Sequence, residues 1–247
     1  MKIAYQLKAI AEVEPWQGAD GPYLNWFALS DGLFRCTLGT RVLFEYSEEA
    51  VAALGVAVNP DYQVAAFAQE IAGTLPYALA RLPRRLEQVA RDWPRLQCVL
   101  ESEAVIEDPR YLDAFQWVRD RSLDSSFLFG APTICFLRVG ETINICWSSD
   151  ARVDGGPFLW KVRSGSWSLP VDEFNAECRS FLTGFLQEMS ARLCHEACLA
   201  AGLDYAELRK QQASWEAELT TSYEAHVPDV DWERAVTACV DLLALAQ

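Results

Sequence analysis

The chain has 247 residues, of which 51% are hydrophobic and 23% are charged, close to the average for a globular domain. This composition argues against a disordered chain, and the sequence has no run of about 18 uncharged apolar residues that could cross a membrane. Asp and Glu number 35 against 21 for Lys and Arg, so the formal net charge is −14. Such a surface repels a phosphate backbone, and we expect no direct binding of nucleic acid.

The first third of the chain is predicted to be mainly β-strand. Apolar residues alternate with polar ones from Ile3 to Leu7, which is the period of a half-buried strand. A three-stranded meander is predicted over residues 23–46, with a hairpin turn at Asp31-Gly32 and a weaker turn at Gly39-Thr40.

The middle third is predicted to be helical. Asn59 begins a stretch with apolar residues at helical spacing. Pro76, Pro83 and Pro94 divide it into short helices, because proline is tolerated in a first turn but not in a helix interior. Pro109 is expected to open another helix.

Strands return in the segments TICFLRV and TINICWSS, which are joined at Gly140-Glu141. Their alternating apolar residues predict a second hairpin. The following segment, FLWKVRSGSWSLP, predicts a further hairpin that turns at Ser164-Gly165.

The last third is again predicted to be helical. Asp172 can cap a long helix that ends at Gly202. Its apolar residues, near the helical period and predicted to point inward, are Phe174, Cys178, Phe181, Phe185, Met189 and Leu193. Asp204 with Glu207 has the spacing of a capping box for the next helix. A terminal helix is expected to start near Pro228.

These elements predict an α+β fold for a single domain that spans residues 1–247. We expect an antiparallel or mixed sheet built from the N-terminal strands (3–46) and the central strands (133–169). Helices from the middle and C-terminal thirds would pack on that sheet.

The N-terminus has no pattern typical of a secretory signal, since Lys8, Glu12 and Glu14 interrupt the apolar run that a signal requires. A cytoplasmic location is therefore expected. In a reducing compartment the eight cysteines are expected to be free thiols, most of them buried as small apolar side chains.

The segment CHEAC, from Cys194 to Cys198, has three possible interpretations: a metal site, a reactive thiol or part of the core. Two cysteines four apart share a helix face, but zinc needs four ligands and no second ligand pair is present. Nothing in the sequence ties His195 or His226 to a thiol as a catalytic base. We interpret the segment as core, and we expect neither enzymatic activity nor a metal or cofactor.

One candidate basic patch is present, RLPRRLEQVARDWPR, which carries Arg81, Arg84, Arg85, Arg91 and Arg95. It is interpreted as the solvated face of a short helix.

Five tryptophans fall in the strand-rich segments: Trp16, Trp26, Trp147, Trp160 and Trp167. They predict packing between sheet and helices. The alternative is an aromatic-lined sheet face in a non-catalytic ligand-binding or scaffold protein.

Several segments resemble a family of uncharacterised bacterial proteins of about this length. LNWFALSDG resembles the W-F-x-L-[ST]-D-G segment that opens that family, and Phe44, Tyr46 and Ser47 match its F-x-Y-S ending. Further similarity lies in NPDYQVAAF, in FLRVGETINICW, and in the spacing of Phe174, Glu177, Phe181, Met189 and Arg192. These motifs concern the fold and contain no catalytic signature.

The whole chain also resembles immunity proteins that are paired with antibacterial toxins of type VI secretion systems, in particular partners of GHH-type DNase toxins. The resemblance implies a monomer that binds one cognate toxin one-to-one and blocks its active cleft, without contacting nucleic acid or a membrane. An acidic surface suits that role, because a DNase must present a positive cleft to phosphates.

Two acidic regions are predicted to contact the toxin. Residues 204–247 hold nine acidic against three basic residues, a net charge of −6, and the link ESEAVIED lies at residues 101–108. Trp215 and Trp232 are candidate apolar anchors. The predicted contact residues are Glu101, Glu103, Glu107, Asp108, Trp215, Glu216, Glu218, Asp229, Asp231, Trp232 and Glu233.

Overall fold

The computed structural model describes residues 1–19, 21–100, 102–106, 108–225 and 232–245. The fold is α+β, as predicted. Antiparallel sheets from the N-terminal and central regions pack against helices from the middle and C-terminal regions.

The N-terminal sheet is centred on one long strand, β4 (Asp31–Leu38). One edge of β4 pairs with β1 (Lys2–Leu7), and the other pairs with β5 (Arg41–Leu43) and β6 (Asp61–Gln63). A separate hairpin joins two three-residue strands, β2 (Trp16–Gly18) and β3 (Gly21–Tyr23).

The hairpin predicted at Asp31-Gly32 is wrong, because both residues lie inside β4. Gly32 is needed there for a different reason. A Cβ atom on Gly32 would lie 2.3 Å from the carbonyl oxygen of Gln6 in the neighbouring β1. The turn predicted at Gly39-Thr40 is confirmed, and Gly39 adopts a φ of +61°.

The segment before β4 is not the strand that was predicted. Ala28–Ser30 forms a 3-10 helix, and the side-chain oxygen of Asn25 accepts a hydrogen bond from the Ala28 backbone N–H at 2.8 Å. A local side-chain bond of this kind offers the backbone an alternative to a sheet ladder.

The central sheet has the strand order β10-β9-β8-β7. Its strands are β7 (Ser122–Leu123), β8 (Thr133–Val139), β9 (Thr142–Ser148) and β10 (Ser164–Pro170). The predicted hairpin at Gly140-Glu141 is confirmed. The hairpin predicted at Ser164-Gly165 is wrong, since both residues belong to β10, which pairs with β9 along its whole length.

The N-terminal and central strands thus form separate sheets. An isolated bridge between Tyr46 and Trp160 connects them, and the two aromatic rings stack with their centroids 4.7 Å apart.

The helices are α1 (Glu48–Leu54), α2 (Val64–Leu79), α3 (Arg84–Arg91), α4 (Trp93–Leu100), α5 (Glu103–Ile106), α6 (Leu112–Arg119), α7 (Val171–Arg192), α8 (His195–Ala200), α9 (Tyr205–Glu224) and α10 (Trp232–Leu245). Asp204 caps α9 as predicted, accepting a hydrogen bond from the Glu207 N–H at 3.1 Å. α2 starts at Val64, after β6, and not at Asn59. It also continues through Pro76, three residues from its end.

The core has two clusters that share the central sheet. The first cluster joins the N-terminal sheet, α2, α7 and α9 to one face of the central sheet, through residues such as Ile145 and Trp147. The second joins α3, α4, α6 and α10 to the opposite face, where Cys146 lies. Successive side chains of β9 point to opposite faces of the central sheet, so this strand contributes residues to both clusters.

The apolar period of α7 is confirmed. The six residues predicted to point inward are all buried: Phe174, Cys178, Phe181, Phe185, Met189 and Leu193. The helix ends at Arg192, however, and a separate short helix, α8, follows. Across the described ranges, no helix is both long enough and apolar enough to span a membrane.

Candidate partner-binding surface

The predicted contact residues are only partly covered by the structure. Glu101, Glu107, Asp229 and Asp231 lie outside the described residues. Glu103 begins α5, but its side chain is likewise not described. The remaining residues divide between α9 and the region around α10, which pack in different halves of the core.

Glu216 and Glu218 lie on α9, which packs against α2 and α7. The Gln212 side-chain amide donates to Glu216 at 2.6 Å, and the Gln69 amide of α2 donates to Glu218 at 2.9 Å. In the part of the chain that the structure describes, neither carboxylate forms an ion pair. Both carboxylates thus have neutral partners that leave the negative charge in place. We call Gln69, Glu216 and Glu218 the α9 surface.

Trp215 is packed into the core beside this surface. Its ring stacks on Trp26 at 4.9 Å and on Phe27 at 5.6 Å between centroids. Trp26 is fully buried. Its indole N–H donates to the side-chain oxygen of Gln212, and its backbone N–H donates to Gln211 at 2.8 Å. Trp215 is therefore largely engaged inside the chain, which leaves little of its ring for a partner.

Glu233 lines a cavity of about 370 Å³ beside α10, together with Arg110, Asp113 and Arg234. Asp108 is connected to this cavity only through Arg110. Arg110 pairs with Asp108 at 2.5 Å, and Arg234 pairs with Asp113 at 3.0 Å. The hydrogen bonds from Arg110 lower the pKa of Asp108. Acidic and basic groups alternate here, so this region is less negative than the α9 surface.

Trp232 is partly buried at the start of α10. The Arg121 guanidinium lies between the rings of Trp117 and Trp232, 5.2 and 5.5 Å from their centroids. Arg121 is only 1% exposed, and burial lowers its pKa to about 10. Trp232 thus covers a buried cation, a role that its sequence context did not indicate.

A third acidic site was missed by the sequence reasoning. The Lys8 ammonium lies 2.9 Å from Asp31 and 2.6 Å from Asp61, in a cavity of about 320 Å³ that Glu14 and Trp16 also line. Burial, followed by the proximity of Asp31, raises the pKa of Asp61. Because the sequence pattern predicted Asp31 in a hairpin turn, its position beside Lys8 was not expected. Because Lys8 neutralises part of this cluster, it is a weaker candidate than the α9 surface.

The five strand-region tryptophans do not line one open cleft. Trp26, Trp147 and Trp160 are each at most 2% exposed and belong to the core. A groove of about 400 Å³ lies between the α3–α4 helices and β9–β10. Trp147 is the only one of the five that lines it. The aromatic ligand-binding alternative therefore depends on this one groove, which Trp93 and Trp147 line together with polar residues such as Asn144.

CHEAC is core only in part. Cys198 is fully buried, whereas Cys194 and His195 are exposed at the break between α7 and α8. All eight cysteines are free, and six of them are buried. Burial raises the pKa of Cys36, Cys135 and Cys239 to about 12. Among the described residues, no group of three or more His, Cys, Asp or Glu side chains is placed to hold a metal ion.

Comparison with known proteins identifies a family but no characterised relative. No curated protein and no solved structure matches the chain. One family model matches residues 2–238, which is nearly the whole length. The chain therefore belongs to the family of unknown function DUF5984.

Proposed function

We propose that this protein is an immunity protein that binds and occludes a cognate antibacterial toxin, a type VI secretion nuclease that cleaves DNA, and so protects the producing cell. The observation that carries the proposal is the net charge of −14, together with two carboxylates on the α9 surface that form no ion pair with any described residue. The resemblance to immunity proteins of DNase toxins supports the same function. The protein would act in the cytoplasm as a monomer, bind one toxin molecule and perform no catalysis.

The electrostatic argument follows from what a nuclease must do. Its cleft carries positive charge because it binds phosphates. A folded acidic surface can occupy that cleft, and complementary charge speeds association and favours the cognate partner. Glu216 and Glu218 suit this role because their hydrogen-bond partners are neutral amides, which orient the carboxylates without cancelling their charge.

The proposal can be tested by co-expressing this protein with the toxin domain that is encoded beside the gene for this protein. We expect a one-to-one complex that co-purifies and no longer cleaves DNA. If no complex forms and the toxin remains active, this pairing is ruled out and the groove beside Trp147 becomes the first site to study.

Charge reversal tests whether the α9 surface makes the contact. Glu216→Lys/Glu218→Lys should weaken toxin binding by about tenfold or more, since exposed charge pairs contribute roughly 0.2–1 kcal/mol each and a reversal adds repulsion. Dissociation constants would be measured by isothermal titration calorimetry.

The matched control is Glu48→Lys/Glu49→Lys on α1, outside the predicted contact residues, which changes the net charge by the same amount at exposed positions. It should bind nearly as tightly as the wild type. Equal weakening by the two variants would mean that overall charge matters and that the α9 surface has no special role.

A further inference from the structure

The groove beside Trp147 lies where helices stop covering the central sheet. It opens between α3–α4 and the strands β9–β10, and β10 is an edge strand. On β8 the side chains of this face, such as Leu137, are buried in the second core cluster, whereas β10 presents three exposed serines on the same face: Ser164, Ser166 and Ser168. The groove volume of about 400 Å³ lies in the range of about 300–1,000 Å³ that is typical of small-molecule sites.

Among the residues that the structure describes, the charged side chain that lines this groove is Arg91, and no Asp or Glu does so. Arg91 is exposed at the end of α3 and forms no ion pair with a described residue. The adjacent Asp92 lines a separate groove between α3 and α10, where it pairs with Arg95 at 3.7 Å. In a chain with a net charge of −14, a groove with this lining favours an anionic ligand.

Trp93, at the start of α4, contributes a hydrogen-bond donor that the described chain does not use. The residue lines the groove and is only 5% exposed. Its indole N–H forms no hydrogen bond with a described residue, yet it is not fully buried, unlike the indole N–H groups of Trp117 and Trp147. A largely buried tryptophan N–H usually has an acceptor. Because Trp93 lines the groove, its accessible N–H is available to a bound acceptor.

Asn144, on the sheet side of the groove, contributes further donors. Its side-chain oxygen accepts a hydrogen bond from the Ser168 hydroxyl at 2.7 Å. The side-chain NH₂ group of Asn144 forms no hydrogen bond with a described residue. The hydroxyl groups of Ser164 and Ser166 line the same groove and can also donate. The groove thus offers one positive charge and several donors to a ligand.

We propose that the groove beside Trp147 binds a small organic oxyanion, a carboxylate or a phosphate ester. Arg91 would pair with the charged oxygens, and the N–H groups of Trp93 and Asn144 would donate to the ligand. Hydrogen bonds to an ionised acceptor are about twice as strong as those between neutral groups. The groove lies on the face of the central sheet opposite α9, so the proposal does not depend on the proposed function.

The same lining argues against other classes of ligand. A cation would meet Arg91 and no carboxylate among the described lining residues. An apolar molecule would cover the N–H groups of Trp93 and Asn144 without giving them acceptors, which costs free energy. Nucleic acid also carries oxyanions, but the net charge of −14 repels a long phosphate backbone.

The test uses isothermal titration calorimetry on the full-length protein at low salt, with three probes. Citrate presents carboxylates, ribose 5-phosphate presents a phosphate ester, and ribose is the uncharged control. We expect at least one of the two anions to bind at submillimolar concentrations, and ribose to bind weaker by about tenfold or more. Binding of citrate alone would identify the ligand as a carboxylate, and binding of ribose 5-phosphate alone would identify it as a phosphate ester.

Two variants locate the site, each with a matched control. Arg91→Glu should weaken binding of the anion by about tenfold or more, whereas Arg84→Glu, an exposed position on the same helix that does not line the groove, should bind as the wild type does. Asn144→Asp keeps an acceptor for Ser168 but replaces the donors with negative charge, and should also weaken binding. Its control is Asn175→Asp on α7, which keeps an acceptor for Arg179. Circular dichroism would verify that each variant is folded.

Three results would overturn the proposal. The first is that neither citrate nor ribose 5-phosphate binds to the wild type. The second is that ribose binds as tightly as the anions, which would mean that the negative charge is not recognised. The third is that Arg91→Glu and Asn144→Asp bind the anion as tightly as their controls do, which would place the anion outside this groove.

Discussion

At the scale of single residues, Trp26 shows how a short motif can serve the fold. Its indole donates to Gln212, which lies 186 positions away and is 1% exposed. The Gln212 amide in turn donates to Glu216 and to the Leu186 carbonyl oxygen. One buried glutamine therefore links the tryptophan of the W-F-x-L-S-D-G segment to the acidic α9 surface.

Gln212→Met tests this link. The substitution keeps the volume similar but leaves the Trp26 indole N–H buried without its acceptor, which should lower the free energy of unfolding by about 1–3 kcal/mol. Urea unfolding followed by tryptophan fluorescence measures the change. Gln69→Met, at an exposed site on α2, is the control and should change the stability by less than about 0.5 kcal/mol. Equal stabilities of the two variants would contradict the structural role of Gln212.

At the scale of elements, the sequence predicted regular segments well and irregular ones poorly. The period of α7 identified all six inward residues, because a long helix repeats its pattern many times. The sequence pattern predicted a strand before β4 because it does not reveal the hydrogen bonds that form there, such as those from the Ala28 N–H to the Asn25 side chain and from the Trp26 N–H to Gln211. The packing of Trp215 could not be predicted, since its partners Trp26 and Phe27 are distant in sequence.

Gly32 gives an element-scale prediction. Gly32→Ala should lower the free energy of unfolding by about 1–3 kcal/mol, because the new methyl group would overlap the Gln6 carbonyl oxygen and force β1 away from β4. Unfolding in a chemical denaturant would measure this change in the free energy of unfolding. Gly73→Ala is the matched control, since its Cβ meets no atom within 4 Å and it lies inside α2. The free energy of unfolding of Gly73→Ala should rise by about 0.5–1 kcal/mol, because alanine is more favourable than glycine inside a helix. A Gly32→Ala protein as stable as the wild type would contradict the close approach of β1.

At the scale of the whole molecule, charge is distributed unevenly over two halves that share the central sheet. Among the residues that the structure describes, Glu216 and Glu218 on α9 form no ion pair in one half, and Arg84, Arg85 and Arg91 on α3 form none in the other. The net charge was evident from the sequence, but this separation was not. The separation depends on which helices pack on which face of the central sheet, and this packing cannot be inferred from the composition.

The association rate constant of the cognate toxin domain, measured by stopped-flow fluorescence over a range of salt concentrations, tests the central claim most directly. If an acidic surface captures a basic cleft, the rate constant should fall by about tenfold or more between low salt and a few tenths molar, because salt screens the steering field. It should also be lower at low salt for Glu216→Lys/Glu218→Lys. A rate constant that is independent of salt and of these two charges would contradict the electrostatic account of inhibition.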